Sequence, residues 1–394
     1  MVMELDRERR DAAQVALRAA GIDALVCRLP EHIVLLSGYY PNVGASLIVF
    51  PAEGEPTLIL PRFEREFADR GFVADQRFFD TWQNRYPPPP VHLARILADV
   101  LSEKNLQTAT IGYEGGFEQF APNMLSGEPT GVGTATQKLI QDAATGARLL
   151  DATNLLNQLR ARKTATEIAR LRIANEVAAM GLVAFKAAVH AGMTEAAVSA
   201  AVESTIRRDG CGYKNARFAF GWAQVTSGLA TAQNWGYPVS SARKLETGDL
   251  VVIELGVVVD GYWADLTRTV SVGPATERQR EVYQVVERAK AASLAAVGNG
   301  VSGVAADKAG RDVITAAGYA DNFVHHTGHG IGFRYHEPIP FVAPHSVHSL
   351  EIGHVFSIEP GIYIEGFGGI RLEDNCALLP SGGEYLAIAD ILLD

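Results

Sequence analysis

The feature that most constrains the fold is an apolar segment with one carboxylate in its middle. Leu250–Val259 reads LVVIELGVVV, and Glu254 is its only charged residue. Such a run predicts a strand whose two faces are both covered. An ionised carboxylate left unpaired there would cost several kcal/mol. A cation or a charged hydrogen-bonding group must therefore compensate Glu254 in the folded chain.

A β-hairpin is predicted directly after this strand, because Asp260-Gly261 is a strong signal for a two-residue turn. With the loop at these two residues, Asp265 faces Gly256, and Glu254 lies one step away on the same face. With the loop moved by one residue, Asp265 faces Glu254 directly. Either register brings both carboxylates within reach of a common ion, and Gly256 beside them leaves open space.

A second pair of predicted strands carries two more acids in apolar surroundings. Glu359 precedes a Pro-Gly pair, and Glu373 follows Arg371 by two residues, on the same strand face. The segment HHTGHGIGFRYHEP, residues 325–338, adds four of the ten histidines. Four carboxylates with one imidazole suit Mn²⁺, Co²⁺, Fe²⁺ or Zn²⁺ and exceed what one such ion needs. They predict two ions that share bridging carboxylates and activate a water for hydrolysis.

For each of these acids taken alone, the simpler explanation is structural. A glutamate within a strand usually forms a salt bridge, and Arg371 or Arg268 could pair with Glu254. An aspartate after a turn is usually solvated, and a histidine in a glycine-rich loop usually binds nothing. Only the joint pattern favours a metal centre.

The composition limits the class of protein. At 394 residues the chain exceeds one typical domain. The net charge is −10 with no run of like charges, which argues against nucleic acid or an anionic membrane as a partner. Three separated cysteines, a charged N-terminus and the absence of a long apolar run indicate a reduced, soluble, cytoplasmic protein.

Two domains are predicted, 1–155 and 156–394. The first alternates helix and strand signals, which is typical of a layered α/β domain, and its YPPPP segment (86–90) predicts an extended loop. The second has helices and strands in blocks, which indicates an α+β domain. Its first long helix is predicted to begin after Thr164, where Thr164 and Glu167 form a capping-box pattern.

Four motifs that occur in one order resemble those of the M24 metallopeptidases, the group that contains Xaa-Pro aminopeptidase, prolidase and methionine aminopeptidase. The motifs are GDLVVIELG…GYWADLTRT, HHTGHGIGFRYHEP, FSIEPGIY and GGIRLEDN. The resemblance implies a "pita-bread" catalytic domain. The first half, including GIDALVCRLPEHIVLLSGY, is similar to the creatinase/prolidase N-terminal domain. A chain with both domains resembles the proline-peptidase branch.

This resemblance implies roles for individual residues. It implies two divalent ions, manganese first, with the ligands Glu254, Asp265, His329, Glu359 and Glu373. The implied catalytic residues are Glu359, which would also be the general base, His336, which would stabilise the oxyanion, and His325. The residues implied to contact or line the substrate site are His325, His336, Trp235 and Arg371.

Two positions depart from the family pattern. The first ligand is normally an aspartate, and here it is Glu254; relatives carry a histidine where Trp235 stands. The resemblance implies an Xaa-Pro aminopeptidase or dipeptidase with a small peptide substrate, as a homodimer. Two alternatives remain: a hydrolase of the same fold that cleaves a C–N bond in a small non-peptide substrate, and a non-catalytic binding protein.

Overall fold

The computed structural model describes residues 6–43, 45–80, 89–115, 134–233, 236 and 238–394. The chain divides into two compact units, Met1–Arg160 and Ala161–Asp394. No helix in these described parts is long and apolar enough to cross a membrane.

The N-terminal unit contains a six-stranded mixed sheet in the order β4-β3-β2-β1-β5-β6. Strands β1, β5 and β6 are parallel, whereas β2 is antiparallel to both β1 and β3. The strands are β1 Ala24–Cys27, β2 Leu47–Pro51, β3 Thr57–Pro61, β4 Asp75–Phe79, β5 Thr110–Tyr113 and β6 Arg148–Asp151. The helices are α1 Arg7–Ala19, α2 Pro30–Ser37, α3 Arg65–Ala68, α4 Pro89–Glu103, α5 Thr134–Ala143 and α6 Thr153–Ala161. The prediction of a layered α/β domain is confirmed.

The prediction of an extended loop over residues 86–90 is wrong at its C-terminal end. Helix α4 begins at Pro89, so Pro89 and Pro90 form its first turn. Proline fits this position because its fixed φ is helical, and because the N–H that it lacks would have no partner there. Residues 86–88 lie outside the described parts of the chain.

The C-terminal unit has only antiparallel pairings among its described strands. They form a sheet β7-β8-β9, a sheet β11-β10-β12-β15-β16 and a pair β13-β14. The first seven strands are β7 Ala219–Ser227, β8 Leu250–Val259, β9 Tyr262–Ser271, β10 Gly328–Gly330, β11 Glu337–Val342, β12 Val355–Ile358 and β13 Gly361–Ile364. The others are β14 Gly368–Arg371, β15 Asp374–Leu379 and β16 Gly382–Tyr385. The helices are α7 Ala165–Ala188, α8 Glu195–Gly210, α9 Glu277–Ala295 and α10 Gly303–Ala316.

Helix α7 begins where the capping-box pattern predicts. The Thr164 hydroxyl accepts from the Glu167 backbone N–H, and the Glu167 carboxylate accepts from the Thr164 N–H. Apolar side chains of α7 and α8 pack with those of β7, β8 and β9 into one buried cluster. The two helices therefore cover one face of this sheet, and the opposite face carries the acids.

The β8–β9 hairpin has the first of the two predicted registers. Gly256 faces Asp265, and Glu254 faces Thr267. Asp260 and Gly261 both have positive φ, 47° and 89°, as this type of tight turn requires. The Asp260 carboxylate also accepts two backbone N–H groups from the segment before β7, so the turn is fixed from outside as well.

Candidate metal centre

The hairpin places Glu254 and Asp265 on one face of the sheet, and both side chains are buried. The Thr267 hydroxyl, on the same face, contacts Glu254 at 3.1 Å and donates to Glu373 at 2.8 Å. Asn375 fixes the Asp265 backbone, since its side chain bonds both the N–H and the carbonyl of Asp265 at 2.9 Å. Three acids are therefore anchored on one side of the centre.

The strand β12 ends immediately before Glu359, which the structure holds through a hydrogen bond of its backbone N–H to Thr327. The Ser357 hydroxyl donates to the Glu359 carboxylate at 3.0 Å. Glu373 lies between β14 and β15, so the prediction that Arg371 and Glu373 share one strand face is wrong. The chain turns between them, and both side chains nevertheless reach the Thr267 hydroxyl.

His329 stands in the middle of the short strand β10. Its Nδ1–H donates to the Gly330 carbonyl at 2.9 Å, which turns Nε2 toward the acids. Nε2 lies 3.4 Å from Asp265 Oδ2 and 3.4 Å from Glu359 Oε1. An imidazole held in this way offers a free nitrogen between two carboxylates, which is the arrangement that a metal ligand needs.

Three groups of possible ligand atoms lie here among the described residues. Within each group, the atoms are within 4.8 Å of one another. The groups are Asp265 with His329 and His336, His329 with Glu359 and Glu373, and Glu254 with Asp265 and Glu373. All five residues that the sequence resemblance implied as ligands belong to these groups. The groups overlap through shared residues, which is compatible with two neighbouring ions.

Two buried carboxylate oxygens indicate that this set of candidate ligands fits a cation. Asp265 Oδ2 and Glu373 Oε1 have no hydrogen-bond partner among the described residues. A buried anionic oxygen without a partner is costly, and a cation would supply what is missing. The donor set of carboxylates and one imidazole suits hard to borderline divalent ions. The residues present therefore fit such an ion.

The charges at the centre influence one another. Burial raises the pKa of Glu373 well above its usual range, and the charges of Asp265 and Glu359 raise it further. Burial would also raise the pKa of Glu359, but its contact with His326 and the charge of His329 lower it to about 2. For His329, burial opposes the charged form, yet the nearby carboxylates of Asp265 and Glu359, each at 3.4 Å, leave its pKa raised. The centre carries an excess of negative charge.

The two other histidines that the sequence singled out lie beside these acids. His336 Nε2 is 3.6 Å from Asp265 Oδ2, and its ring centroid is 3.8 Å from that of His329. His325 Nε2 is 2.9 Å from the Tyr363 hydroxyl, which also accepts from Arg371 Nη1 at 3.2 Å. Burial lowers the pKa of both His325 and His336, which favours neutral imidazoles at these positions.

The surroundings of Glu254 differ from the expected open space. Arg371 forms a buried salt bridge with Glu254, as the structural alternative allowed. The space beside Gly256 is filled by the ring of Tyr335, which a Cβ at Gly256 would approach to 2.8 Å. The Tyr335 hydroxyl contacts Glu254 Oε1 at 2.5 Å. The prediction of open space at Gly256 is therefore wrong, because Tyr335 enters from the segment between β10 and β11.

Several residues that the sequence pattern does not single out also shape the centre. They are Thr267, His326, Tyr335, Tyr363 and Asn375. All five lie inside the four quoted motifs, which is the signal that could have identified them. His326 Nε2 lies 3.6 Å from Glu359 Oε1. Trp235 falls outside the described residues.

Behind the histidines lies a buried ion pair. The Lys163 ammonium contacts Glu337 Oε2 at 2.7 Å, and both side chains are almost inaccessible. Glu337 Oε1 accepts from the Phe333 backbone N–H at 3.0 Å. Glu337 follows His336 directly, so this pair fixes the backbone that carries His336.

Comparisons with known proteins agree with this architecture. Residues 169–379 match the model of metallopeptidase family M24, and residues 9–162 match the creatinase/prolidase N-terminal domain. The chain is 30% identical over 381 residues to an Xaa-Pro dipeptidase of Pyrococcus furiosus, with 96% of this chain and 97% of that protein covered.

Two solved structures show the same fold over nearly the whole length. A prolidase from Pyrococcus horikoshii OT3 has a TM-score of 0.77 at 26% identity, covering 98% of this chain and 100% of that one. An X-Pro aminopeptidase from Thermotoga maritima has a TM-score of 0.78 at 26% identity, covering 96% and 99%. The expected pita-bread catalytic domain after a creatinase-like domain is thereby confirmed. The chain belongs to metallopeptidase family M24.

Proposed function

We propose that this chain is a peptidase with two divalent ions that hydrolyses Xaa-Pro bonds in small peptides. The observation that carries the proposal is the convergence of Asp265, His329, Glu359 and Glu373 around two buried carboxylate oxygens without partners. Relatives and structural neighbours named Xaa-Pro dipeptidase, prolidase and X-Pro aminopeptidase support the substrate class. Mn²⁺ is the first choice of ion, because oxygen-rich sites favour it.

Two ions would use all five candidate ligands. One would be held by Glu254, Asp265 and Glu373, and the other by His329, Glu359 and the shared acids. When bound, the ions supply a water of lowered pKa and polarise the scissile carbonyl. The homodimer that the family resemblance implies is part of the proposal.

The protein's own side chains would divide the remaining work. Glu359, a carboxylate beside His326 and His329, would accept the proton of the attacking water. His336, neutral and next to Asp265, would donate a hydrogen bond to the developing oxyanion. His325, bonded to Tyr363, would line the peptide site with its ring.

A substrate panel tests the proposal. Metal-free enzyme is loaded with Mn²⁺, Co²⁺ or Zn²⁺ and assayed with Xaa-Pro dipeptides, longer Xaa-Pro peptides and small non-peptide amides. We expect cleavage of Xaa-Pro bonds that depends on added metal. Cleavage of dipeptides alone would identify a dipeptidase, and cleavage of longer peptides an aminopeptidase.

The variant Glu359→Gln is the matched control, because it keeps the size of the side chain and removes its charge. It should lose the activity in every arm of the panel. Turnover of Xaa-Pro substrates that survives both metal removal and Glu359→Gln would refute the proposal.

The surroundings of Glu254 favour one alternative function. Arg371 and Tyr335 hold its side chain, which is longer than the aspartate of the family pattern. The Tyr335 ring fills space beside the centre. A hydrolase for a small non-peptide substrate would tolerate such a reduced site. Cleavage of small amides with no cleavage of Xaa-Pro peptides would select this alternative.

A further inference from the structure

The Tyr335 hydroxyl lies between two of the candidate metal ligands. It contacts Glu254 Oε1 at 2.5 Å and Asp265 Oδ1 at 2.8 Å. These two residues, with Glu373, form one of the three groups of possible ligand atoms. A phenol oxygen thus lies at the edge of a candidate ion position.

The two sides of the centre differ in how their carboxylates are engaged. Both oxygens of Glu254 have protein partners, because Oε1 meets Tyr335 while Oε2 meets Arg371 and Thr267. By contrast, Asp265 Oδ2 and Glu373 Oε1 have no hydrogen-bond partner among the described residues. An ion can therefore use Asp265 and Glu373 without breaking a contact, but it can use Glu254 only in competition with these groups.

Tyr335 is fixed in this position by its packing. Its side chain is fully buried, and its ring makes edge contacts with Trp222 and Trp263 at 5.8 and 5.9 Å between centroids. The ring of His336 stacks on it at 4.7 Å. Gly256 provides the space, since a Cβ there would lie 2.8 Å from Tyr335 Cε2. The hydroxyl is therefore not free to turn away when an ion enters.

A hydroxyl and a cation cannot both use the same carboxylate oxygens at no cost. Tyr335 has one proton to donate, and it stands within hydrogen-bonding distance of two anionic oxygens. A bond to a charged acceptor is among the stronger hydrogen bonds in proteins, so its loss reduces the net gain from binding an ion.

We propose that Tyr335 sets the affinity of the ion position at Glu254, by competing with the ion for Glu254 Oε1 and Asp265 Oδ1. Tyr335 is a positioning residue in this proposal, which rests on the two-ion centre proposed above. The ion at Glu254 binds more weakly than the other, and the Tyr335 hydroxyl is responsible for part of the difference.

The test is a calorimetric titration of metal-free enzyme with Mn²⁺, in the wild type and in Tyr335→Phe. We expect two ions per chain in both. The dissociation constant of the weaker site should fall by about tenfold or more in Tyr335→Phe, because the ion no longer competes with one hydrogen bond to a charged acceptor. The dissociation constant of the tighter site should change little.

Two further variants sharpen the titration. Tyr262→Phe is the matched control, since it removes another buried tyrosine hydroxyl, which accepts from Arg170 at 2.7 Å; it should change neither constant. Tyr335→Met removes the same hydroxyl by another substitution, with a flexible side chain that can adapt to the pocket left by the ring. It should also strengthen the weaker site, and it keeps the test available if Tyr335→Phe does not fold.

The outcomes separate this inference from the proposed function. Two ions whose affinities are unchanged or weakened in Tyr335→Phe would overturn the role of Tyr335 and leave the metal centre intact. A wild-type chain that binds no Mn²⁺ at all would overturn both.

Discussion

At the scale of single residues, His329 and His336 approach the same oxygen but are held differently. His329 is fixed through Nδ1 by the Gly330 carbonyl, and its Nε2 faces both Asp265 and Glu359. His336 Nε2 lies 3.6 Å from Asp265 Oδ2, and its ring stacks on Tyr335. The first geometry suits a metal ligand, and the second suits a hydrogen-bond donor to substrate.

This difference leads to a paired prediction. His336→Ala should lower turnover by roughly 10²–10³ with metal content unchanged, because a single oxyanion donor is worth about that much. His329→Ala should lower the bound metal measured by elemental analysis. Loss of metal in His336→Ala with retention in His329→Ala would mean that the two roles are exchanged.

A buried histidine away from the centre predicts how stability depends on pH. Burial, with the nearby charges of Lys163, Arg162 and His348, lowers the pKa of His354 from 6.5 to about 3. Its Nδ1 accepts the Glu351 backbone N–H at 3.1 Å, which requires the unprotonated nitrogen. The unfolded chain therefore takes up a proton below about pH 6.5 that the folded chain does not.

Stability from His354 is thus fully present above about pH 6.5 and is lost as the pH falls toward 3, by up to about 1.4 kcal/mol per pH unit. In His354→Asn the side-chain oxygen can replace Nδ1 as acceptor and does not titrate. Denaturant unfolding across this range should show a smaller loss of stability in His354→Asn. The exposed His190→Gln is the control, and an equal effect of both variants would contradict the assignment.

The apolar run around Glu254 illustrates what the sequence can predict about a residue. It predicts that the carboxylate is buried and compensated, because an unpaired charge there would be too costly. It does not decide between Arg371 and Arg268 as the partner and does not indicate Tyr335, since these residues are far away in sequence and meet Glu254 only in the folded chain. The salt bridge and the metal centre were alternatives in the sequence, and the structure places Glu254 within reach of both.

At the scale of elements, the hairpin and its turn could be predicted from Asp260-Gly261, which left two possible registers, and the structure has the one with the loop at these two residues. Asp260 and Gly261 adopt the conformation that their types favour, and the pairing of Gly256 with Asp265 follows. The break between Arg371 and Glu373 could not be predicted in the same way. It depends on β14 pairing with β13 while β15 pairs with β12, which is a choice among distant partners.

The glycines of the histidine-rich segment allow strands to approach closely. A Cβ at Gly328 would lie 1.9 Å from the Ser357 carbonyl oxygen, and one at Gly330 would lie 2.3 Å from that of Ile339. Real side chains do not approach backbone at such distances, so β10 could not hold its place with alanine at either position. His329, between these glycines, depends on this close packing.

We therefore expect Gly328→Ala to destabilise the chain by about 1–3 kcal/mol in denaturant unfolding and to weaken Mn²⁺ binding, since His329 would move with β10. Gly298→Ala is the matched control, because its new Cβ would meet only a Val301 methyl group at 3.3 Å. A Gly328→Ala variant with the stability and Mn²⁺ affinity of the control would show that β10 tolerates the displacement.

At the scale of the whole molecule, the two units have separate cores, and the buried cluster of acids described above belongs to the C-terminal unit. The N-terminal unit packs one apolar cluster against its six-stranded sheet. All three groups of possible metal ligands that occur among the described residues lie in the C-terminal unit. Without cations, the buried acids of that unit repel one another, and burial with this repulsion already raises the pKa of Glu373. Metal should therefore stabilise the C-terminal unit selectively.

Differential scanning calorimetry of metal-free and Mn²⁺-loaded enzyme checks this expectation. An ion at a thousandfold excess over its dissociation constant adds about 4 kcal/mol to the native state, which for a unit of this size raises the midpoint by roughly 10 °C. We expect this rise for the transition of the C-terminal unit, with the transition of the N-terminal unit unchanged. Asp265→Asn alters a residue that two ligand groups share. In this variant, Mn²⁺ should raise the midpoint of the C-terminal unit by only a small part of the wild-type amount. A trace that Mn²⁺ leaves unchanged in the wild type, or an Asp265→Asn trace that it raises fully, would contradict stabilisation through these acids.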